Sequence, residues 1–237
     1  MNILLIGYGK MGKAIEQIAL HRSHTIIARV DTSEERENLS NSLQIDVAIE
    51  FSQPEVAVDN LLFCIERKIP VVCGTTGWLA SQDKVVTHCK LNDGSFFYAS
   101  NFSLGVNIFF KLNEYLAKLM AGRQDYTISI DEIHHTQKKD APSGTAITLA
   151  EGITANNKSY NQWTYPEKPS SQGIVINSFR IDPAPGTHTV KYQSEIDDIE
   201  IKHTAHSREG FALGAVLVAE WLPGHKGALG MNDFLKF

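Results

Sequence analysis

The chain has few cysteines, no long hydrophobic run and no excess of basic residues, and each shortage excludes a class of protein. Three cysteines occur among 237 residues, and their spacing fits neither a disulfide framework nor a paired metal site. No apolar stretch approaches the roughly 20 residues that cross a membrane. The net charge of −5 at pH 7 argues against nucleic acid or an anionic membrane as a partner. We therefore expect a soluble protein that holds any anion with a local cluster of cations.

The start of the chain and its thiols predict a cytoplasmic location. The apolar run Ile3–Ile6 has no basic lead and is broken by Gly7, which is untypical of a signal peptide. Cys64 and Cys73 lie in apolar helical and strand patterns, so we expect buried, reduced thiols, as in a reducing compartment.

A glycine-rich turn follows the first predicted strand. Asn2–Ile6 has the continuous apolar pattern of a buried parallel strand, and a helical pattern begins near Gly12. The turn reads G-x-G-x-x-G, and the next predicted strand, Thr25–Val30, ends at Asp31. This arrangement is the fingerprint of a dinucleotide site, although a glycine turn can also simply tighten a βα unit. The predicted cofactor contacts are Gly7, Tyr8, Gly9, Lys10, Met11, Gly12 and Asp31.

Strands and helices continue to alternate as far as Leu104. We predict strands at Val47–Phe51, Val71–Gly74 and Ser95–Ala99, separated by helices over 55–68 and 81–89. The loops after these strands should share the carboxyl edge of a sheet, where open α/β sheets bind ligands. Each loop alone could be a plain connector. Together they add Phe51, Ser52, Gly74, Thr75, Thr76, Ser100, Asn101 and Phe102 to the predicted cofactor contacts.

The alternation then stops, which predicts a second domain. A helical pattern begins at Leu104, and its predicted core-facing stripe is Phe109, Leu112, Leu116 and Leu119. Three later strand-like runs with short turns suggest an antiparallel or mixed sheet. The predicted elements are a helix over 104–120, a strand over 126–133, a helix over 144–155, a polar surface segment over 156–173, strands over 174–181, 187–194 and 199–205, and a helix over 208–222. The tail after that helix is expected to return to the first domain.

The densest set of reactive side chains lies between the strand over 126–133 and the helix that follows it. His134 and His135 are adjacent, and Lys138 and Asp140 come soon after. Histidine exchanges protons near neutral pH, and lysine supplies a positive point charge. The free N–H groups at the start of the helix, near Gly144, can bind a carboxylate or phosphate. A single such residue is usually idle, but this density favours a site for a small dianionic substrate.

Three later histidines, His188, His203 and His206, allow a zinc hypothesis. They lack the tight i, i+4 spacing of zinc ligands and a nearby acidic partner. We therefore expect core or interface histidines and no metal.

With these residues assembled, the chain resembles the 4-hydroxy-tetrahydrodipicolinate reductases, also called dihydrodipicolinate reductases. The most specific match runs from Glu132 to Ala146, and supporting matches lie at Gly7–Gly12, Gly74–Gly77, Asn101–Asn107, Gly186–His188 and Ser207–Trp221. The resemblance implies an α/β fold with an N-terminal Rossmann-type parallel sheet and a smaller mixed α/β domain. Residues 1–104, completed by 209–237, would bind the dinucleotide. Residues 105–208 would bind the substrate and build a homotetramer.

The resemblance also implies a reaction, which is reduction of a cyclic imine dicarboxylate by NADH or NADPH in the diaminopimelate route to lysine. The partner is then a small dicarboxylate. His134 would be the catalytic proton donor and Lys138 a second catalytic group, and the substrate contacts would be His135, Lys138, Ser143, Gly144 and Thr145. The chain departs from the family in a shorter glycine turn. It also has Thr32 after Asp31, where an arginine would favour a 2′-phosphate, so the cofactor preference stays open.

Two other functions fit part of the pattern. One is another dehydrogenase of amino-acid metabolism, such as an aspartate or homoserine dehydrogenase, and the other is a non-catalytic nucleotide-sensing protein. The glycine fingerprint suits all three, whereas the His134, His135 and Lys138 spacing favours the reductase.

Overall fold

In the computed structural model, which describes residues 1–207 and 209–237, the chain divides into two units. Unit 1 contains Met1–Leu104 and Glu209–Phe237, and unit 2 contains Gly105–Arg208. Arg208, the predicted first residue of the last long helix, lies outside the described residues. Among the described helices, none is long and apolar enough to cross a membrane.

Short apolar runs separated by amphipathic segments build the first part of unit 1. Ile3–Ile6 and Val47–Glu50 are buried along their whole length, as in parallel strands that helices cover on both faces. The elements are β1 (Asn2–Ile6), α1 (Lys10–His21), β2 (Thr25–Val30), α2 (Ser33–Glu37), β3 (Val47–Glu50), α3 (Pro54–Glu66), β4 (Val71–Cys73), a 3-10 turn (Leu79–Ser81), α4 (Gln82–Leu91) and β5 (Ser95–Tyr98). The predicted alternation is confirmed, and Cys64, Cys73 and Cys89 are buried thiols.

The short helix α2 was not predicted from the pattern of apolar residues. A capping box starts it, because the Thr32 hydroxyl accepts the Glu35 N–H at 3.1 Å and the Glu35 carboxylate accepts the Thr32 N–H at 3.1 Å. A Glu three residues after a Thr signals such a helix start, but no apolar stripe accompanies it here.

Unit 2 is built around a five-stranded mixed sheet. Its elements are α5 (Leu104–Leu119), β6 (Thr127–His134), α6 (Gly144–Asn156), β7 (Gln162–Thr164), β8 (Gly173–Arg180), β9 (Gly186–Gln193) and β10 (Asp198–Ala205), and the strand order is β10-β9-β6-β8-β7. β6 pairs parallel with β8 and antiparallel with β9. The expected antiparallel or mixed sheet is therefore confirmed as a mixed one, in which β6 lies between β8 and β9. The polar segment over 156–173 also hides β7, a three-residue strand without apolar alternation.

The buried face of α5 differs from the predicted stripe. Val106, Phe109, Asn113 and Ala117 are buried, whereas Leu112 and Leu119 are 48% and 56% exposed. The helix has apolar residues on two sides, and the sequence does not say which side meets the sheet. The buried amide of Asn113 donates to the Leu149 carbonyl of α6 at 2.9 Å, which satisfies its polar group within the core.

The C-terminal residues complete unit 1. They form α7 (Glu209–Trp221), β11 (Gly227–Leu229) and α8 (Met231–Leu235), and the parallel sheet has the order β11-β5-β4-β3-β1-β2. β11 pairs parallel with β5, and α7 packs its buried alanines and valines into the core beside Phe97 and Phe102. The tail thus joins the sheet of unit 1, and its elements β11 and α8 were not predicted.

Gly214 of α7 should be intolerant of any side chain. A Cβ atom at this position would lie 1.8 Å from the Phe102 carbonyl oxygen, which is backbone and cannot rotate away. We expect Gly214→Ala to lower the free energy of unfolding by about 1–3 kcal/mol, in the range of overpacked cores. Gly210→Ala in the same helix is the matched control, because its Cβ would meet Ser103 Oγ at an ordinary 3.8 Å. Denaturant unfolding of both variants measures the difference, and equal stabilities would contradict this packing.

Candidate functional site

The glycine turn of unit 1 is shaped by close backbone contacts. Gly7 has φ +89°, and a Cβ there would lie 2.2 Å from the Phe51 carbonyl oxygen. A Cβ on Gly12 would lie 2.3 Å from the Gly7 carbonyl oxygen. Gly9 differs, since a Cβ there would meet nothing within 4 Å in the described part of the chain. The first and third glycines therefore allow tight packing, and the second leaves the backbone open to an approaching group.

Gly9, the glycine with open space beside it, lies at the start of α1. Gly9 is the N-cap residue, and among the described residues no side chain caps it. The first N–H groups of a helix carry partial positive charge and bind phosphate oxygens when they are free. The donor chemistry and the open space beside Gly9 fit the pyrophosphate of a dinucleotide.

The end of β2 is acidic. The Asp31 carboxylate accepts the Tyr8 N–H at 2.5 Å, and the Glu35 carboxylate accepts the Asp31 N–H at 2.7 Å. This backbone hydrogen bond from Asp31 and a second from Thr32 lower the pKa of Glu35. Arg29, the nearest cation on β2, is committed to an ion pair with Glu16. The ribose end of the fingerprint thus carries negative charge.

The loops after β3, β4 and β5 meet as predicted. The Ser52 N–H donates to Thr75 Oγ1 at 2.8 Å, and the ring centroids of Phe51 and Phe102 lie 5.5 Å apart. A Cβ on Gly74 would lie 2.2 Å from the Phe51 ring, so glycine makes room for that ring. Of the predicted cofactor contacts, Gly7, Gly12, Thr75 and Phe102 are buried, Tyr8, Met11, Phe51, Ser52, Gly74 and Asn101 are half-buried, and Gly9, Lys10, Asp31, Thr76 and Ser100 are exposed.

In unit 2, Glu132 organises the reactive segment. It is fully buried on β6, and both of its carboxylate oxygens accept the Ser143 N–H, at 3.2 and 3.0 Å. Ser143 Oγ lies 3.1 Å from His188 Nε2 and accepts the Ala146 N–H at 3.2 Å, which makes Ser143 the N-cap of α6. Burial raises the pKa of Glu132, but hydrogen bonds with His188, Ser143 and Ser178 outweigh it and hold that pKa at about 2. Glu132 is therefore an anion near neutral pH.

His134 ends the same strand and is only 7% exposed. Its Nδ1 lies 3.5 Å from Glu132 Oε2, and its ring centroid lies 5.1 Å from that of His188. Burial and the neighbouring His188 lower the pKa of His134 to about 4, although Glu132 opposes them. His134 is thus a neutral imidazole near neutral pH when no anion is bound.

Lys138 and Asp140 form an ion pair of 2.8 Å in the loop after β6. Hydrogen bonding to Lys138 lowers the pKa of Asp140. Arg180 fixes this loop by donating to the Lys138 carbonyl at 3.3 Å and to the Asp140 carbonyl at 2.6 Å. The predicted substrate contacts therefore lie on one anchored segment, with His135 and Thr145 half-buried and Gly144 exposed.

Sequence reasoning missed three members of this cluster, which are Glu132 as an anchor, His188 and Arg180. Alternation along β6 puts Glu132 on the same face as His134, and this signal could have been used. His188 and Arg180 reach the cluster only through strand pairing, opposite Glu132 and His134. The statement that the later histidines lack an acidic neighbour is wrong for His188, whose Nε2 lies 3.7 Å from Glu132 Oε2.

Glu132, His134 and His188 also have the composition of a metal site, with potential ligand atoms within 4.8 Å of one another. Two of these side chains are already engaged, since Glu132 accepts the Ser143 N–H twice and His188 contacts Ser143 Oγ. Hydrogen bonding to protein groups thus accounts for the cluster, and it holds a protonatable imidazole beside a buried anion.

The chain is similar to known proteins over nearly its whole length. Family models for the N-terminal and C-terminal parts of dihydrodipicolinate reductase match residues 1–102 and 105–235. A 4-hydroxy-tetrahydrodipicolinate reductase from Christiangramia forsetii is 52% identical and covers 99% of this chain and 98% of its own. One from Staphylococcus saprophyticus is 34% identical, with coverages of 95% and 96%. The dipicolinate-bound dihydrodipicolinate reductase from Paenisporosarcina sp. TG-14 has the same fold, with TM-score 0.78, 21% identity and 99% of both chains covered.

Proposed function

The chain belongs to the dihydrodipicolinate reductase family, and from this premise we propose that its two units divide the work of the reaction. The protein is an NAD(P)-dependent oxidoreductase that reduces 4-hydroxy-tetrahydrodipicolinate to tetrahydrodipicolinate in the diaminopimelate route to lysine. In the proposal, unit 1 holds the cofactor and unit 2 holds the dicarboxylate and manages the proton. The observation that carries it is the anchored segment of unit 2, where a cation, an imidazole and a helix N-terminus lie on one loop.

Unit 1 supplies the nicotinamide cofactor site in this proposal. When bound there, NADH or NADPH provides the hydride, and the protein orients it and excludes water. The open backbone at Gly9 and the start of α1 support a pyrophosphate position. The proposed contacts are those of the glycine turn, of Asp31 and of the three loops after β3, β4 and β5, as predicted from the sequence.

Unit 2 binds the two carboxylates. The N–H groups of Gly144 and Thr145 begin α6 and suit one carboxylate, because Ser143 already serves as the cap and Glu132 fixes its position. The Lys138 ammonium, with His135, suits the remaining negative charge. Lys138 must exchange its Asp140 partner for the substrate, which its loop position allows.

His134 manages the proton together with Lys138. A neutral imidazole cannot donate a proton efficiently, but a dianion bound beside it stabilises the imidazolium and raises its pKa. His134 therefore becomes a proton donor when the substrate is present. Hydride arrival places electrons on the ring, and the nearby Lys138 charge stabilises them.

The charges at the end of β2 favour NADH over NADPH. Asp31 is exposed, Glu35 lies beside it, and Arg29 is paired with Glu16. A 2′-phosphate near these carboxylates would be repelled, whereas ribose hydroxyls can donate to Asp31.

We also propose a homotetramer in the cytoplasm, with unit 2 providing the contacts. Support comes from the exposed apolar side chains Ile108, Leu112, Tyr115 and Leu119, which share one side of α5 and would be costly to leave in water.

Sedimentation equilibrium should give the mass of four chains, and a single-chain mass would refute this assembly.

Lys138 tests the division of work between the units. We expect Lys138→Ala to weaken the affinity for the substrate by about one to two decades. This is the value of one charge-assisted hydrogen bond, roughly 1.5–3 kcal/mol. Any role in the transition state would add a loss of kcat at saturating substrate. Cofactor affinity, measured by calorimetric titration, should stay within a factor of about two. Lys139→Ala is the control, because this neighbour is exposed and has no proposed role. A tenfold loss of cofactor affinity would argue against the division, and unchanged kinetics would make Lys138 a bystander.

Asp31 tests the cofactor preference. Asp31→Asn keeps an acceptor for the Tyr8 N–H and removes only the charge. We expect the ratio of kcat/KM for NADPH to that for NADH to rise about tenfold, equivalent to removing roughly 1.4 kcal/mol of repulsion. Asp83→Asn, an exposed acid on α4, is the control and should leave the ratio unchanged. An unaltered ratio in Asp31→Asn would remove this residue from cofactor discrimination.

A further inference from the structure

A buried carboxylate lies directly behind the imidazole that is proposed to exchange the proton. We propose that Glu132 is a positioning residue for His134: it accepts a hydrogen bond from Nδ1–H, leaves Nε2 for proton exchange and stabilises the imidazolium. This inference rests on the role proposed above for His134. It adds a function to a residue whose visible duty is to anchor Ser143.

The geometry leaves His134 Nδ1 one credible partner. This atom is buried and has no hydrogen bond within the described part of the chain, although a buried N–H seldom lacks one. Glu132 Oε2 lies 3.5 Å away, so a small rotation of the ring would bring it within hydrogen-bond distance. Glu132 itself cannot follow, because the Ser143 N–H holds both of its oxygens.

The other ring nitrogen, Nε2, lies beside a residue that has no side chain. Gly186 of β9 lies beside it, and a Cβ there would be 3.2 Å from His134 Nε2. Any larger residue would crowd this edge of the imidazole. The ring therefore has a carboxylate near one nitrogen and a glycine, without a side chain, near the other. This is the arrangement in which a carboxylate sets the tautomer of a histidine.

The charges around His134 make this carboxylate necessary. The titratable and charged groups that face the ring are Glu132 on β6, His188 on β9, Lys138 in the following loop and Arg180 on β8. Glu132 is the anion of this set, and Lys138 and Arg180 are its cations. Without it, a proton on His134 would meet only like charges. The Arg180 guanidinium lies 3.6 Å from Glu132 and competes for the same carboxylate.

The proton balance is simple. With substrate bound, His134 is protonated on both nitrogens and Glu132 compensates its charge. The Nε2–H bond breaks, the proton passes to the reduced ring, and the electron pair stays on the imidazole. The neutral ring that remains keeps Nδ1–H toward Glu132, ready to take up the next proton at Nε2 from water.

The dependence of kcat on pH tests the inference. Glu132→Gln keeps an oxygen that accepts the Ser143 N–H and removes the charge. If protonated His134 donates, kcat falls above its pKa in the complex, and the variant should move this fall to lower pH by at least one unit. At a fixed pH on that limb, kcat then drops about tenfold per unit. At the acid end the two enzymes should converge. Glu132→Asp should recover part of the shift, and Glu151→Gln, an exposed acid of α6, should match the wild type.

A purely structural role for Glu132 predicts a different result. It would lower kcat by the same factor at every pH, and this outcome, or an unchanged profile, would overturn the proposal. Nitrogen-15 NMR of the wild-type protein near pH 7 gives a second test that needs no variant at position 132. The His134 resonances, assigned by their loss in His134→Gln, should show hydrogen on Nδ1 and a lone pair on Nε2. The opposite tautomer would also overturn the proposal.

These measurements separate the inference from the function on which it rests. If His134→Gln keeps nearly full kcat, the proposed role of His134 fails, whatever its tautomer is. If His134→Gln is inactive while Glu132→Gln shows an unshifted profile, His134 stands as the donor and only the role of Glu132 fails.

Discussion

The contact between the Glu132 carboxylate and the Ser143 N–H is the constraint on which the reactive part of unit 2 depends. Burying a carboxylate completely costs free energy unless hydrogen bonds compensate it, so the hydrogen-bond partners of Glu132 must stay in position. Ser143 is such a partner, and it also caps α6 and touches His188. The positions of the start of α6, of His188 and of the loop that joins β6 to α6 thus follow from one buried charge.

Unit 1 also has a buried carboxylate that accepts a backbone N–H, at the end of β3. Glu50 is fully buried, and its carboxylate accepts the Ser52 N–H at 3.1 Å and lies 3.1 Å from Cys73 Sγ. Ser52 in turn donates to Thr75, which joins two of the loops that are proposed to hold the cofactor. In both units an acid at the carboxyl end of a strand therefore orders the backbone of the next loop. Breaking either network would leave a buried polar group without its hydrogen bonds, which is costlier than losing an exposed ion pair.

The electrostatics of the two units are opposite in sign, and this suits their proposed ligands. The end of β2 presents Asp31 and Glu35, which in the proposal favour a ribose without a phosphate. The loop after β6 brings Lys138 close to His134 and β8 brings Arg180, although the whole chain has a net charge of −5. Burial first, and then His188 and those cations, lower the pKa of His134, and in the proposal a bound dianion raises it because opposite charge stabilises an imidazolium. In the proposal, binding of the substrate and protonation of His134 are then coupled, so that the proposed donor is charged only when its substrate is present.

The sequence by itself determined the parallel sheet, the glycine turn and the position of the reactive segment, because these depend on neighbouring residues. Continuous apolar runs define β1 and β3, and the spacing from Gly7 to Gly12 and on to Asp31 is local to one βα unit. Only the tertiary structure decided the order of β8, β6 and β9, the buried side of α5 and the partners of Glu132. His188 and Arg180 meet β6 from distant parts of the chain through strand pairing. Such pairing depends on how whole strands pack, and no local pattern of residues encodes it.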